Sequence, residues 1–197
     1  MPECCPVLQA IPGISDTLLA EFALLFNPSS HHLCLPNAIY YNYENRGGIF
    51  VGSAATANES TCSMLGITHI VSVVNRNFSA PDGIEHLLCC IEDANYEDLF
   101  PVLFEALPFI SKALERPSGR VIVHCERGAS RSVSVVVAYL MALRGGRFCA
   151  DDVLAEVRQN RRCARPNVGF MSYLKSLRFH PTKRVLADKI GREIPIK

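Results

Sequence analysis

The residues Val121-Ile122-Val123-His124-Cys125-Glu126-Arg127-Gly128-Ala129-Ser130-Arg131-Ser132 concentrate the chemistry of this chain. An apolar, β-branched run leads into a short loop, and the spacing after Arg131 predicts a helix. A loop between a strand and a helix start leaves backbone N–H groups without intrachain partners. Those of Glu126, Arg127, Gly128, Ala129 and Ser130 can converge on a phosphate, and the helix dipole adds to the pull. Gly128 gives such a turn its backbone freedom. Cys125 stands at the loop entry, where the same donors stabilise a thiolate. An ordinary thiol titrates near 8.5, and such surroundings lower it to between ~3.5 and 7.5. A thiolate facing a phosphoryl group can attack phosphorus and form a phosphocysteine. Arg131, six positions on, offers a planar fork that can hold two equatorial phosphoryl oxygens. The Ser132 hydroxyl can bond the sulfur and help it leave.

The pattern His-Cys, five residues, Arg-Ser resembles the signature of the protein tyrosine phosphatase superfamily. Its dual-specificity branch commonly reads His-Cys-x-Ala-Gly-x-Ser-Arg-Ser, and this chain departs from that only at Arg127, where alanine is usual. The resemblance implies a general-acid aspartate on a loop after an upstream strand. Ile91-Glu92-Asp93-Ala94-Asn95-Tyr96-Glu97-Asp98-Leu99 fits with Asp93 in that role, and Glu92, Glu97 and Asp98 compete for it. A serine or tyrosine oxygen leaves poorly unless protonated, and the same carboxylate can then activate water. The segment Arg165-Pro166-Asn167-Val168-Gly169-Phe170 resembles the family's buttress of the phosphate loop. It implies that Asn167 hydrogen-bonds the loop while Phe170 and Leu174 pack the last helix. For His124 the family implies a role in orienting the loop rather than a base.

These residues need a scaffold. Strand signals at Ile49-Phe50-Val51, His69 to Val74, Glu85 to Ile91 and Arg120 to Val123 alternate with helix signals at Thr56 to Leu65, Leu99 to Leu114, Ser130 to Leu143, Asp151 to Asn160 and Val168 to Phe179. Pro101 and Pro108 predict a kink or break in the second of these helices. Such alternation predicts an α/β fold with a central, mostly parallel twisted sheet of four to five strands flanked by helices. The resemblance makes that fold protein tyrosine phosphatase-like, of the atypical kind without a docking domain, over residues 47–180. Residues 1–46 read as an extension with a short helix from Ser15 or Asp16 through Phe26, and 181–197 as a tail.

Composition narrows the function classes. The net charge of +1 gives no global field toward nucleic acid. No apolar run reaches the roughly 18 residues of a membrane span. The nine cysteines form no Cys-x-x-Cys pair and no cysteine pair is matched by a histidine pair. No metal and no cofactor is therefore expected. The N-terminus carries no secretory signal pattern, which predicts a cytoplasmic location with access to the nucleus, and free thiols. The sequence does not set the oligomeric state. The resemblance implies phosphorylated proteins as partners and substrates. The short chain lacks the loop that deepens the cleft in tyrosine-specific relatives, and lacks their Trp-Pro-Asp acid loop, so phosphoserine and phosphothreonine can enter as well as phosphotyrosine. Arg127 opens an alternative, since a second cation at the loop edge suits polyanions such as phosphoinositides unless Glu126 pairs with it. A phospho-binding scaffold without turnover is a second alternative. Cys89 and Cys90 are candidate redox partners for Cys125, or simply small core residues.

Overall fold

A computed structural model describes residues 35–42 and 45–178. The strands are β1 (Asn37–Asn42), β2 (Gly47–Ser53), β3 (His69–Val74), β4 (Glu85–Cys90) and β5 (Arg120–Cys125). The helices are α1 (Glu59–Leu65), α2 (Phe100–Glu115), α3 (Arg131–Leu143), α4 (Ala150–Asn160) and α5 (Val168–Ser176), with one 3-10 turn at Ala54–Thr56. The helix expected between residues 15 and 26 and the tail at 181–197 lie outside the described residues.

The strands form one sheet in the order β1-β2-β5-β3-β4. Neighbours from β2 to β4 are parallel, and β1 alone runs antiparallel, on β2. The strand β1 is not expected from the sequence. Its Tyr40 and Tyr41 alternate weakly, most of its residues are only partly buried, and a register shift between Ala38 and Tyr40 breaks the period. An edge strand needs only one apolar face, so its signal is faint.

Register explains the two cores. Phe50, Ile122 and Ile70 sit side by side across β2, β5 and β3, and their shared face packs on Cys62 and Leu65 of α1. Val51, Val123 and Val71 form the adjacent row, pointing to the other face, where α2 to α5 cover them. Burying side chains of this size contributes roughly 1.5–3 kcal/mol each. Residues Arg131 to Met141 of α3 are all buried, because α3 lies between the sheet and the outer helices. This explains its near-continuous run of valines.

α2 runs unbroken through Pro108, against the expected kink or break. Pro101 lies in the first turn, where its missing N–H has no partner in any case. The bond lost at Pro108 falls on the side where Phe104 and Glu105 are exposed, so water can replace it. α1 starts later than expected, since Asn58 caps it by accepting from the Thr61 N–H and the 3-10 turn takes the residues before. α5 stops at Ser176, short of Phe179.

Candidate active site

β5 ends at Cys125 and α3 begins at Arg131, so the loop between them lies at the carboxyl edge of the parallel strands. Open α/β sheets build their sites at this edge. What shapes the loop is the fate of its carbonyls. The Glu126 carbonyl accepts from the Ala54 N–H at 3.4 Å, and the Ala129 carbonyl from the Arg165 N–H at 2.7 Å. The Gly128 carbonyl accepts from Arg161 Nε at 2.5 Å and the Arg127 carbonyl from Arg161 Nη2 at 3.2 Å. Peptide planes whose oxygens are tied outward turn their N–H groups inward. The Gly128 N–H accordingly donates to Cys125 Sγ at 3.2 Å.

Gly128 holds a left-handed φ of 67°, and a Cβ there would lie 2.4 Å from both Arg161 Nη2 and the Gly52 carbonyl oxygen. Only glycine leaves room for Arg161. That arginine was not singled out in the sequence. It sits in the polar run Gln159-Asn160-Arg161-Arg162, which reads as a solvated helix end, yet it is 1 % exposed. Its third contact, Nη1 to Asn37 Oδ1 at 2.7 Å, ties β1 to the phosphate loop.

Cys125 is 1 % exposed. Burial pushes its thiol pKa up, but the Ser132 hydroxyl, with the N–H groups of Ser132, Ala129 and Gly128, outweighs burial and holds it below the ordinary thiol value. The Ser132 Oγ donates to the sulfur at 3.2 Å. Arg131 is buried, and its Nη1 donates to the Ile91 carbonyl at 3.1 Å. Its Nε is buried without a hydrogen-bond partner among the described residues. A guanidinium anchored at one corner, with a free donor at another, suits an anion on the loop.

Asp93 comes from the loop after β4. Its Oδ1 accepts from Ser130 Oγ at 2.6 Å and from Asn167 Nδ2 at 2.8 Å. The Asn167 N–H donates to Ser130 Oγ at 3.0 Å, and Asn167 Oδ1 caps α5 by accepting from the Phe170 N–H. The expected contact of Asn167 with the loop is therefore made by its main chain, while its side chain holds Asp93. The competing acids are engaged elsewhere or held by nothing near the loop. Glu92 accepts from the Tyr96 hydroxyl and Asp98 from the Phe100 N–H at the start of α2, and no side-chain bond of Glu97 to the phosphate loop exists among the described residues.

Glu126 and Arg127 are both exposed. Glu126 does not pair with Arg127. It pairs with Arg76, whose Nε lies 3.1 Å from its Oε2, and both side chains are half exposed. His124 is fully buried, and its Nε2 lies 2.7 Å from Ser72 Oγ on β3. Cys89 lies on β4 opposite Val73, and Cys125 lies one step past the Ser72–His124 pair, so one strand separates the two cysteines. Two strand spacings put their Cα atoms about 9–10 Å apart. A disulfide needs at most roughly 7 Å. Burial, first, and Glu105 with Cys90 push the Cys89 thiol up to about 12, as suits a small apolar core residue. Among the described residues, no cluster of His, Cys, Asp or Glu could hold a metal ion, and no helix is long and apolar enough to cross a membrane.

Residues 49–178 match the family model described as dual specificity phosphatase, catalytic domain. The chain is 37% identical over 134 residues to dual specificity protein phosphatase 1B of Arabidopsis thaliana, covering 67% of this chain and 78% of that protein. It is 33% identical over 134 residues to dual specificity protein phosphatase 22 of Homo sapiens, covering 68% and 71%. Against protein-tyrosine-phosphatase MKP1 of Arabidopsis thaliana it is 37% identical over 131 residues, 64% of this chain and only 16% of that longer protein. The crystal structure of DUSP15 superposes with a TM-score of 0.65 at 25% identity, covering 72% of this chain and 86% of that one. The human tyrosine phosphatase-like serine/threonine/tyrosine-interacting protein superposes at 0.62 and 27% identity, covering 72% and 93%.

Proposed function

The chain belongs to the dual specificity phosphatase family, and on that footing we propose that it hydrolyses phosphotyrosine and phosphoserine or phosphothreonine in proteins through a phosphocysteine at Cys125. The observation that carries this reading is the loop's outward-tied carbonyls, which leave inward N–H groups around a buried sulfur with a lowered pKa.

In the first step the Cys125 thiolate attacks phosphorus and the ester oxygen departs. Asp93 gives that oxygen a proton, so a neutral alcohol or phenol leaves. Arg131 holds two equatorial oxygens with Nε and a guanidinium corner, and the loop N–H groups of Glu126 to Ser130 bind the others as charge shifts. In the second step Asp93, now a carboxylate, takes a proton from water, which attacks phosphorus and expels the thiolate. The Ser132 hydroxyl, already bonded to Sγ, stabilises the departing sulfur. Inorganic phosphate is released. His124 and Asn167 hold the machinery in place, and no cofactor or metal takes part. The catalytic unit is residues 47–180, with β1 added at its edge because Asn37 joins the loop through Arg161. We place its action in the cytoplasm, on phosphorylated proteins.

Hydrolysis of p-nitrophenyl phosphate by the full chain, in chelator and then with vanadate, tests this. Wild type should turn over, vanadate should inhibit it, and Cys125→Ser should lose at least about 10³-fold. Phosphotyrosine and phosphothreonine peptides should both be cleaved. An inert wild type, or a Cys125→Ser variant that retains its rate, overturns the reading.

A further inference from the structure

The contacts of His124 lead away from the phosphate loop. Ser72, in the middle of β3, places its Oγ 2.7 Å from His124 Nε2 and 2.8 Å from Nε2 of His86 on β4. Ser72 and His124 are fully buried and His86 is half-buried. The Phe78 ring covers both imidazoles, at centroid distances of 4.3 Å from His124 and 5.7 Å from His86. This leaves Ser72 bridging two histidines under an aromatic lid.

A serine hydroxyl carries one proton, so it donates to one imidazole and accepts from the other. Two arrangements satisfy this. In the first, His124 donates from Nε2 to Ser72, which donates to His86. In the second, His86 donates from Nε2 to Ser72, which donates to His124 Nε2. The proton of a neutral His124 then sits on Nδ1. Burial is the main reason His124 stays neutral, with its pKa down at about 4; the neighbouring His86 also lowers it, and Arg76 and Glu126, which act on it in opposite senses, are paired with each other. Its influence on Cys125 is therefore a dipole whose direction depends on the tautomer. Nδ1 is buried and has no hydrogen bond of ordinary geometry, although the Cys125 backbone raises the affinity of the imidazole for a proton. An N–H at that position turns a positive end toward the Cys125 main chain, and a bare nitrogen turns a negative one.

We propose that Ser72 and His86 are positioning residues for the nucleophile: His86 donates to Ser72, Ser72 donates to His124, and the Nδ1–H so fixed on His124 favours the Cys125 thiolate. This rests on the phosphocysteine reading above. Neither residue touches substrate, and neither belongs to the Cys125-to-Ser132 loop.

The test follows iodoacetamide alkylation of Cys125 against pH by peptide mass spectrometry, alongside kcat/KM for p-nitrophenyl phosphate and a thermal melt. It uses the full chain as wild type, Ser72→Ala, His86→Phe and His86→Gln. Ser72→Ala and His86→Phe should raise the thiol midpoint by about half a unit to one unit. They should lower kcat/KM roughly three- to ten-fold at pH below the new midpoint, and less above it. His86→Gln keeps an N–H donor and should restore both toward wild type at an unchanged melting temperature. If Ser72→Ala does not fold, the His86→Phe and His86→Gln pair decides alone. Variants that alkylate with the wild-type midpoint overturn the proposal, as does a His86→Gln midpoint that shifts as far as that of His86→Phe. A wild type that cleaves no phosphate ester, but whose Cys125 midpoint still follows His86, leaves the relay standing and removes the phosphatase reading.

Discussion

The phosphate loop and the acid loop meet at Ser130 and are built in opposite ways. Between Cys125 and Arg131 the loop is held through its main chain, with successive carbonyls tied to Ala54, Arg161 and Arg165 and with Cys125, Gly128, Ser130 and Arg131 buried. Asp93 is exposed and is held by two side-chain donors on one oxygen, from Ser130 and Asn167. Main-chain ties fix several donors at once and cannot be removed by trimming one side chain of the loop. Side-chain ties can be lost singly and can be made and broken as a substrate enters. The first construction suits a group that must bind charge in every step. The second suits one that must first give a proton and then take one.

Arg131→Lys should sharpen this contrast most. Lysine keeps the charge but loses the fork and the Nη1 bond to Ile91, so kcat should fall by about 10³-fold on every substrate, measured with a phosphotyrosine peptide and p-nitrophenyl phosphate. Arg161→Gln should come next. It frees the Arg127 and Gly128 carbonyls and the Asn37 side chain, so activity on both substrates should fall roughly 10–100-fold and urea melts should show about 2–4 kcal/mol less stability. Equal loss on good and poor leaving groups is the mark of the main-chain-held loop. Asp93→Asn should break that equality, with about a 30- to 100-fold loss on phosphoserine peptide against less than about three-fold on p-nitrophenyl phosphate, whose leaving group needs no proton. An equal loss on both would move the acid role to Glu92, Glu97 or Asp98.

A separate expected effect concerns acid stability. His124 is pushed by burial from an ordinary value of 6.5 to about 4. The unfolded chain therefore takes up a proton between those pH values while the folded chain does not. Stability contributed by neutral, buried His124 is complete above pH 6.5 and is lost as pH falls toward 4, by roughly 3 kcal/mol in all. Urea melts from pH 7 to pH 4 should show the decline, and His124→Asn should flatten it. A slope unchanged in that variant assigns the acid sensitivity to other groups.

Much of this was legible in the residues. The parallel strands β2, β3 and β5 announced themselves as short β-branched runs because both their faces are buried. The spacing of Cys125, Gly128 and Arg131 was readable because a strand, a tight loop and a helix start are local. β1 was missed for the converse reason: an edge strand with one covered face leaves almost no apolar period. Pro108 misled, because a proline's cost depends on whether water can reach the carbonyl it abandons, and that is set by which side of α2 faces out.

The sequence by itself determined which groups are present and how the chain turns beside Cys125, since strand propensity, glycine freedom and helix-start donors act over a few residues. Only the tertiary structure decided who meets whom across 14 to 124 positions. It buried Arg161 against the Gly128 carbonyl and Asn37, brought Asn167 to Asp93, sent Glu126 to Arg76 instead of Arg127, and put Ser72 between His86 and His124. An arginine in a polar run reads the same whether solvated or buried. Its fate is set by the unpaired carbonyls that the fold carries to it, and those belong to another part of the chain.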